Sequence, residues 1–169
     1  MPSLLESQPR SMQKTWQNIN FKMNEKIKLF FIYVSYIFIL FTIDRVTKFQ
    51  VLSILESQDK VDIYVNSFLN LYLVWNKGIG FGLFSFDNAT AYNLITLIIL
   101  FINVIIVYLI FVEEGVKVYF LLTILGGSLG NFFDRLYYKA VPDFIDINYN
   151  GYHWFIFNVA VIFITLGII

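Results

Sequence analysis

The sequence predicts an all-α membrane protein with four transmembrane helices and a small extramembrane β-sheet between the first and second helices. Composition is the first observation behind this. The 169-residue chain is 58% hydrophobic and only 14% charged, and its mean hydropathy of +0.68 lies far from that of soluble domains. The second is an aromatic content of 20%, led by 19 Phe and 11 Tyr, which suits lipid-facing surfaces and interfacial belts. The third is a set of nearly uncharged runs approaching the roughly 20 residues that a bilayer crossing needs. Composition also excludes functions. With no Cys there are no disulfides, thiol nucleophiles or thiolate ligands. A single His, His153, speaks against a structural zinc or a Ser-His-Asp triad. Twelve basic residues balance twelve acidic ones, so no nucleic-acid footprint is expected.

Residues 1–24 are polar, carry Pro2 and Pro9 and are read as lacking a helical apolar period, so a disordered tail is expected there. One membrane domain then covers 25–169. Its first span is Leu29–Ile43, which runs into Asp44-Arg45 rather than a small-residue cleavage site and so is no cleavable signal peptide. A surface β-segment is expected over 57–88. Val61–Val65 and Asn70–Trp75 alternate as half-buried strands do, and Gly78, Gly80 and Gly82 then break the pattern. The sheet, spanning Val61–Phe84, should cover the helix mouths. Leu94–Val112 and Val118–Leu129 are the second and third spans, joined by the tight turn Glu113-Glu114-Gly115. His153–Ile169 begins a fourth. This order brings Asp44, Asn76, Asp134, Asp143 and Asn158 to one side of the membrane. Basic residues divide evenly between the sides, but Lys22, Lys26 and Lys28 precede the first span and favour an inward N-terminus with the polar motifs facing outward.

Those motifs stand out because an ionisable side chain at membrane depth costs roughly a few kcal/mol or more unless it meets a partner or water. Asp44, Thr47 and Lys48 lie at i, i+3 and i+4 on one helical face; an interfacial ion pair ending the span is the plainer reading. In Trp75–Gly82 the glycines let an extended chain approach closely. Gly126, Gly127 and Gly130 leave a flat strip for helix packing, and Gly127, Asn131 and Asp134 share its stripe. Asp143 follows Pro142, which restrains the local backbone. A structural role for Asp143 would require a salt bridge, with Arg135 as the candidate. Two aspartates hydrolyse peptides because like carboxylates a few Å apart cannot both ionise, so one holds a proton while the other activates water. Asn158 and position 161 share a helical face, and a carboxylate at 161 would enter the cavity that Asp143 enters. Val161 occupies that position and can neither hold a proton nor orient water.

Taken together, these segments resemble the bacterial lipoprotein signal peptidase (signal peptidase II) family of four-span inner-membrane aspartic endopeptidases, over nearly everything from Leu29 onward. The family pattern Asp-x-x-[Ser/Thr]-Lys matches Asp44 to Lys48, Asn-x-Gly-x-[Ala/Gly]-Phe matches Asn76 to Phe81, and Gly-Gly-x-x-Gly-Asn-x-x-Asp-Arg is complete from Gly126 to Arg135. Val141 to Phe144 matches Val-x-Asp-Phe, which makes Asp143 the first catalytic aspartate by resemblance. The last pattern, aromatic-Pro-x-Phe-Asn-x-Ala-Asp, meets Trp154 to Val161, with Phe155 for the proline and Val161 for the second catalytic aspartate. Asp146 is the nearest spare carboxylate, on the loop rather than at the helix position.

The resemblance implies a diacylglyceryl-modified prolipoprotein substrate cut just before its lipidated Cys, with acyl chains left in lipid and the signal helix docked on the glycine strip. It implies Asp44, Lys48, Asn76, Gly78, Gly127, Asn131, Asp134, Arg135 and Asn158 as substrate-binding or site-supporting residues. It also implies no metal or organic cofactor, a monomer, and a multi-pass protein of the bacterial inner membrane with its site facing the periplasm or exterior. Two other readings compete. A non-catalytic protein could keep the groove and bind prolipoproteins. A proton-linked channel could relay through Asp44, Asp134 and Asp143, although Leu94–Val112 offers only Thr96 and Asn103 to continue the relay.

Overall fold

The computed structural model describes residues 9–78, 89–149 and 152–169. The chain divides into two units, Met1–Tyr36 and Ile37–Ile169. Helix α1 (Arg10–Gln58) contributes to both.

In the first unit the expected disordered tail, 1–24, is instead helical from Arg10. The carbonyl oxygen of Pro9 accepts from the Met12 and Gln13 amides at 2.9 and 3.1 Å and opens the helix. No Gly or Pro interrupts 10–36, and Met, Gln, Lys and Glu there are good helix formers. Met12, Trp16, Ile19, Met23 and Ile27 also recur in steps of three and four, a helical period that the polar composition conceals.

In the second unit, α1 is followed by strands β1 (Asp62–Asn66) and β2 (Leu69–Asn76), then helices α2 (Ala89–Val112) and α3 (Val116–Tyr138), strands β3 (Val141–Tyr149) and β4 (Tyr152–Phe157), and helix α4 (Val159–Ile168). Gly115, at φ 70°, makes the turn between α2 and α3 in a conformation that a side chain would strain. Helix α3 is central: it packs against α2, α4 and β3. The outer face of α2 shows Leu97, Phe101, Val104 and Phe111 to the surroundings, as a lipid-facing helix does.

The sheet is larger than expected. Its four strands run antiparallel in the order β1-β2-β3-β4, so half of it comes from the chain between the third and fourth helices. Leu71 pairs with Ile145, Val74 with Asp143 and Asn76 with Val141, with a register shift between Leu71 and Val74. Ile145 pairs with Phe157 and Asn148 with His153. Val51, Val61 and Phe144 form a small core where the end of α1 meets the sheet. The expected strand segment beyond Gly78, including Gly80, Phe81 and Gly82, lies outside the described residues.

The expected fourth span is met only in part, by a short apolar helix within 153–169. Among the described residues three helices, α1, α2 and α3, are long and apolar enough to cross a membrane. The stretch expected to begin a fourth at His153 is strand to Phe157, because aromatic and β-branched residues there pair with β3. Helix α4 has 10 residues, which at 1.5 Å each reach only about half of a 30 Å hydrocarbon layer.

Candidate active site

Two polar layers meet where α1, α3, α4 and the sheet come together. The deeper is an ion network between α1 and α3. Lys48, 1% exposed, donates from Nζ to Asp44 Oδ2 at 2.9 Å, Asp134 Oδ2 at 2.6 Å and Asn131 Oδ1 at 2.8 Å. Arg45 reaches Asp134 Oδ1 at 2.5 Å and Oδ2 at 2.8 Å, and Asp44 Oδ2 at 2.7 Å. Two carboxylates thus face two cations, so each fully buried acid, Asp44 and Asp134, has a cationic partner within hydrogen-bond distance. Arg45 also lies over the Phe133 ring, 5.0 Å from its centroid.

This network reaches α4. Asp44 Oδ1 accepts the backbone N–H of Ala160 at 3.0 Å, and Asn158, the residue before α4, accepts the N–H of Val161 at 3.1 Å through its side chain. Both bonds satisfy amides that a helix start leaves without intrahelical partners. The position of residue 161 is therefore set by one cap within its own turn and by one carboxylate from α1.

The second layer surrounds Asp143, which is 4% exposed on β3. Its Oδ2 accepts from Asn76 Nδ2 at 2.8 Å and its Oδ1 from Asn158 Nδ2 at 2.5 Å. Asn76 in turn accepts the Gly78 N–H at 2.8 Å. Burial pushes the Asp143 carboxyl above its usual range, against the opposing pull of the two amides and of Lys48 and Arg135. Arg135 does not form the salt bridge considered for it: its guanidinium donates to the carbonyl oxygens of Asn131 at 3.2 Å and Gly78 at 3.0 Å. Among the described residues Asp143 has no ion pair.

Asp143 opens onto a cavity of about 260 Å³. Asn76, Asn131, Arg135 and Val161 line it with Asp143, so position 161 faces the same space as the carboxylate. Asp44, Lys48 and Asp134 stand behind that wall as the ion network. Asn158 holds Asp143, and Gly78 is fixed by Asn76 and Arg135. Asp146 lies on β3 rather than on a loop, is bound to His153 Nδ1 at 2.7 Å and is absent from the cavity lining. Ser128 lines the cavity, and Tyr92 of α2 donates to the Arg135 carbonyl oxygen at 3.2 Å. Ser128 sits inside the glycine motif and could have been read from it; Tyr92 carries no signal in a single sequence.

The glycine strip does not present a free face to a signal helix. A Cβ on Gly126 would sit 2.9 Å from Leu40 Cβ, one on Gly127 2.5 Å from the Ala160 carbonyl oxygen, and one on Gly130 against the Asp44 carboxylate. The protein's own α1 and α4 fill the strip, because a surface without side chains is where two helices can approach most closely. Among the described residues a relay through α2 finds no continuation either: Asn103 is buried with no hydrogen-bond partner among them, and Thr96 bonds back to the Tyr92 carbonyl oxygen.

Comparison with known proteins supplies the remaining findings. The family model described as signal peptidase (SPase) II matches residues 36–169. A lipoprotein signal peptidase of Pelagibacter ubique is 48% identical over 142 residues, covering 84% of this chain and 86% of the relative. One of Francisella tularensis subsp. novicida is 34% identical over 152 residues, covering 87% and 90%. A solved bacterial membrane enzyme superposes with a TM-score of 0.64 at 30% identity, covering 81% of this chain and 82% of its own.

Proposed function

The chain belongs to the signal peptidase II family and has the function of a lipoprotein signal peptidase, and we propose that its site carries one catalytic aspartate, Asp143, with Val161 standing where the second belongs. Enzymes of this family are aspartic endopeptidases acting on prolipoproteins in the membrane. The observation that carries the proposal is the single cavity faced by both Asp143 and Val161. Asn76 and Asn158 hold the carboxylate at both oxygens, so one rotamer is presented to the substrate.

The chemistry of a pair follows from where its members sit. Asp143 is buried and its carboxyl is raised, which suits it to hold the proton and deliver it to the leaving amine. Position 161 is the third residue of the first turn of α4, where the helix dipole favours a negative charge. A carboxylate there would be the ionised partner that activates water. Valine leaves the cavity without that base, so the chain as written keeps the substrate site and loses most or all turnover. The proposed substrates are diacylglyceryl-modified prolipoproteins cut before the lipidated Cys. The protein would act as a monomer in the bacterial inner membrane, with Asp143 on the outer side.

A gel-shift cleavage assay on a diacylglyceryl precursor in detergent or liposomes tests this. The unmodified chain should show little or no product, and Val161→Asp should restore turnover that Asp143→Asn abolishes. Losing one member of a unit that acts together costs several orders of magnitude in rate. Turnover by the unmodified chain that disappears in Asp143→Asn would show that another group supplies the base, and would overturn the reading of Val161. The alternative of a prolipoprotein-binding protein without catalysis is favoured by one observation: the ion network, the caps and the Asp143 amide clamp are intact although the second carboxylate is absent.

A further inference from the structure

A second cavity, of about 310 Å³, adjoins the site. Its walls are Ile147 of β3, Phe155 and Phe157 of β4, and Ile162 and Leu166 of α4. Val161 and Thr165 complete it, and the same two residues line the Asp143 cavity. The Thr165 hydroxyl donates to the Val161 carbonyl oxygen at 2.8 Å, so the one polar side chain in the lining is satisfied within its own helix. A space lined this way offers water no partners, and its favoured occupant is hydrocarbon.

We infer that this cavity seats an acyl chain of the diacylglyceryl group on the substrate's cysteine. The inference rests on the proposed function and deepens it by assigning a place to the lipid. In that substrate the glyceryl thioether stands on the residue immediately after the scissile bond, so the acyl hydrocarbon begins one cysteine side chain and one glyceryl ester away from the carbonyl that Asp143 must approach, the separation of neighbouring cavities. An apolar cavity sharing two wall residues with the Asp143 cavity meets that spacing. Phe155 and Phe157, with ring centroids 5.8 Å apart, present flat apolar surface along one side of the chain's path. A membrane lipid can also reach α4, but no covalent link holds its acyl chain beside the carboxylate.

Because the unmodified chain is proposed not to turn over, binding can be measured at equilibrium with the full-length protein in detergent. Two peptides spanning a cleavage site serve as probes, one with S-dipalmitoylglyceryl-cysteine and one with S-methylcysteine. Leu166→Trp should weaken binding of the lipidated peptide by about tenfold or more and leave the S-methyl peptide within about twofold, since each buried methylene contributes heavily to affinity. The S-methyl affinity reports an intact fold, and Ile162→Trp repeats the test from another wall. A diazirine placed mid-chain on the lipidated peptide should label residues within 155–166. An equal loss for both peptides, or labelling elsewhere, overturns the inference and leaves the site reading standing. Labelling of the cavity by a diazirine phosphatidylglycerol that survives saturating lipidated peptide would identify a membrane-lipid occupant and overturn it as well. Failure of the unmodified chain to bind either peptide would overturn the proposed function and the acyl site together.

Discussion

At Asp143 the carboxylate meets two side-chain amides, and burial, the largest influence on it, raises its affinity for a proton above the ordinary value of 3.8. A carboxyl raised in the folded state favours folding while protonated, and that contribution is lost as pH rises from the unfolded value through the folded one. Asp143→Asn removes this titration but sets an NH2 group against Asn76 or Asn158, a cost that does not vary with pH. The parent's advantage over Asp143→Asn in detergent thermal melts should therefore be largest below about pH 4 and shrink toward neutrality. A gap that widens with rising pH would mean that the amides, not burial, dominate. Lys48 illustrates the opposite balance. It compensates Asp44 and Asp134 from within 3 Å, and Lys48→Met should destabilise the protein by about 3–5 kcal/mol, because it strands buried charge. Unchanged melting of that variant would remove the network from the account of how α1 is held to α3.

Among the elements, α4 is the one whose placement matters most. It is short, it begins at a cap that also clamps Asp143, and it rests on a bare patch of α3. Gly127→Ala would set a methyl 2.5 Å from the Ala160 carbonyl oxygen, and overpacking of this kind costs about 1–3 kcal/mol. Gly126→Ala meets Leu40 Cβ at 2.9 Å instead, a smaller overlap than the one at Gly127, although rotation of the Leu40 side chain does not move that atom. Thermal melts should rank Gly127→Ala as the more damaging, and in the Val161→Asp background it should also lower kcat by moving the first turn of α4 away from Asp143. Equal effects of the two substitutions would indicate that α4 follows α3 without strain. The sheet holds the other half of the site. Pairing of Val74 with Asp143 and Asn76 with Val141 aligns the clamp residue Asn76 with the strand that carries the carboxylate.

Across the molecule, helix length sets which parts can share a membrane face. Helix α2 has 24 residues, or about 36 Å of rise, enough to separate the turn at Glu113–Gly115 from the sheet by a full hydrocarbon layer. The chain has no Cys, so a single introduced thiol reports its own side. In intact cells Asn66→Cys should react with a membrane-impermeant maleimide and Glu114→Cys should react only after lysis. The reverse pattern would turn the proposed orientation over while leaving the fold untouched.

The first three apolar helices and the polar motifs between them were legible in the sequence, because hydrophobic run length and local spacing are properties of neighbouring residues. Asp44 and Lys48 at i and i+4 already named one ion pair. The helical start at Arg10 was legible in principle, since the period was there beneath a polar composition. What only the tertiary structure decided was everything carried by partners far apart in the chain. Strand β4 was mistaken for the start of a span because a run of aromatic residues reads equally well as lipid-facing helix until its pairing with β3 is known. The close helix packing expected at the glycine strip is there, but the packing helices are the protein's own α1 and α4, because glycine records that something approaches closely and not what approaches. The bond from Asp44 to the Ala160 amide joins positions 116 residues apart, and no local rule of propensity or spacing reaches that far; it exists because burying two carboxylates obliges the fold to bring donors to them.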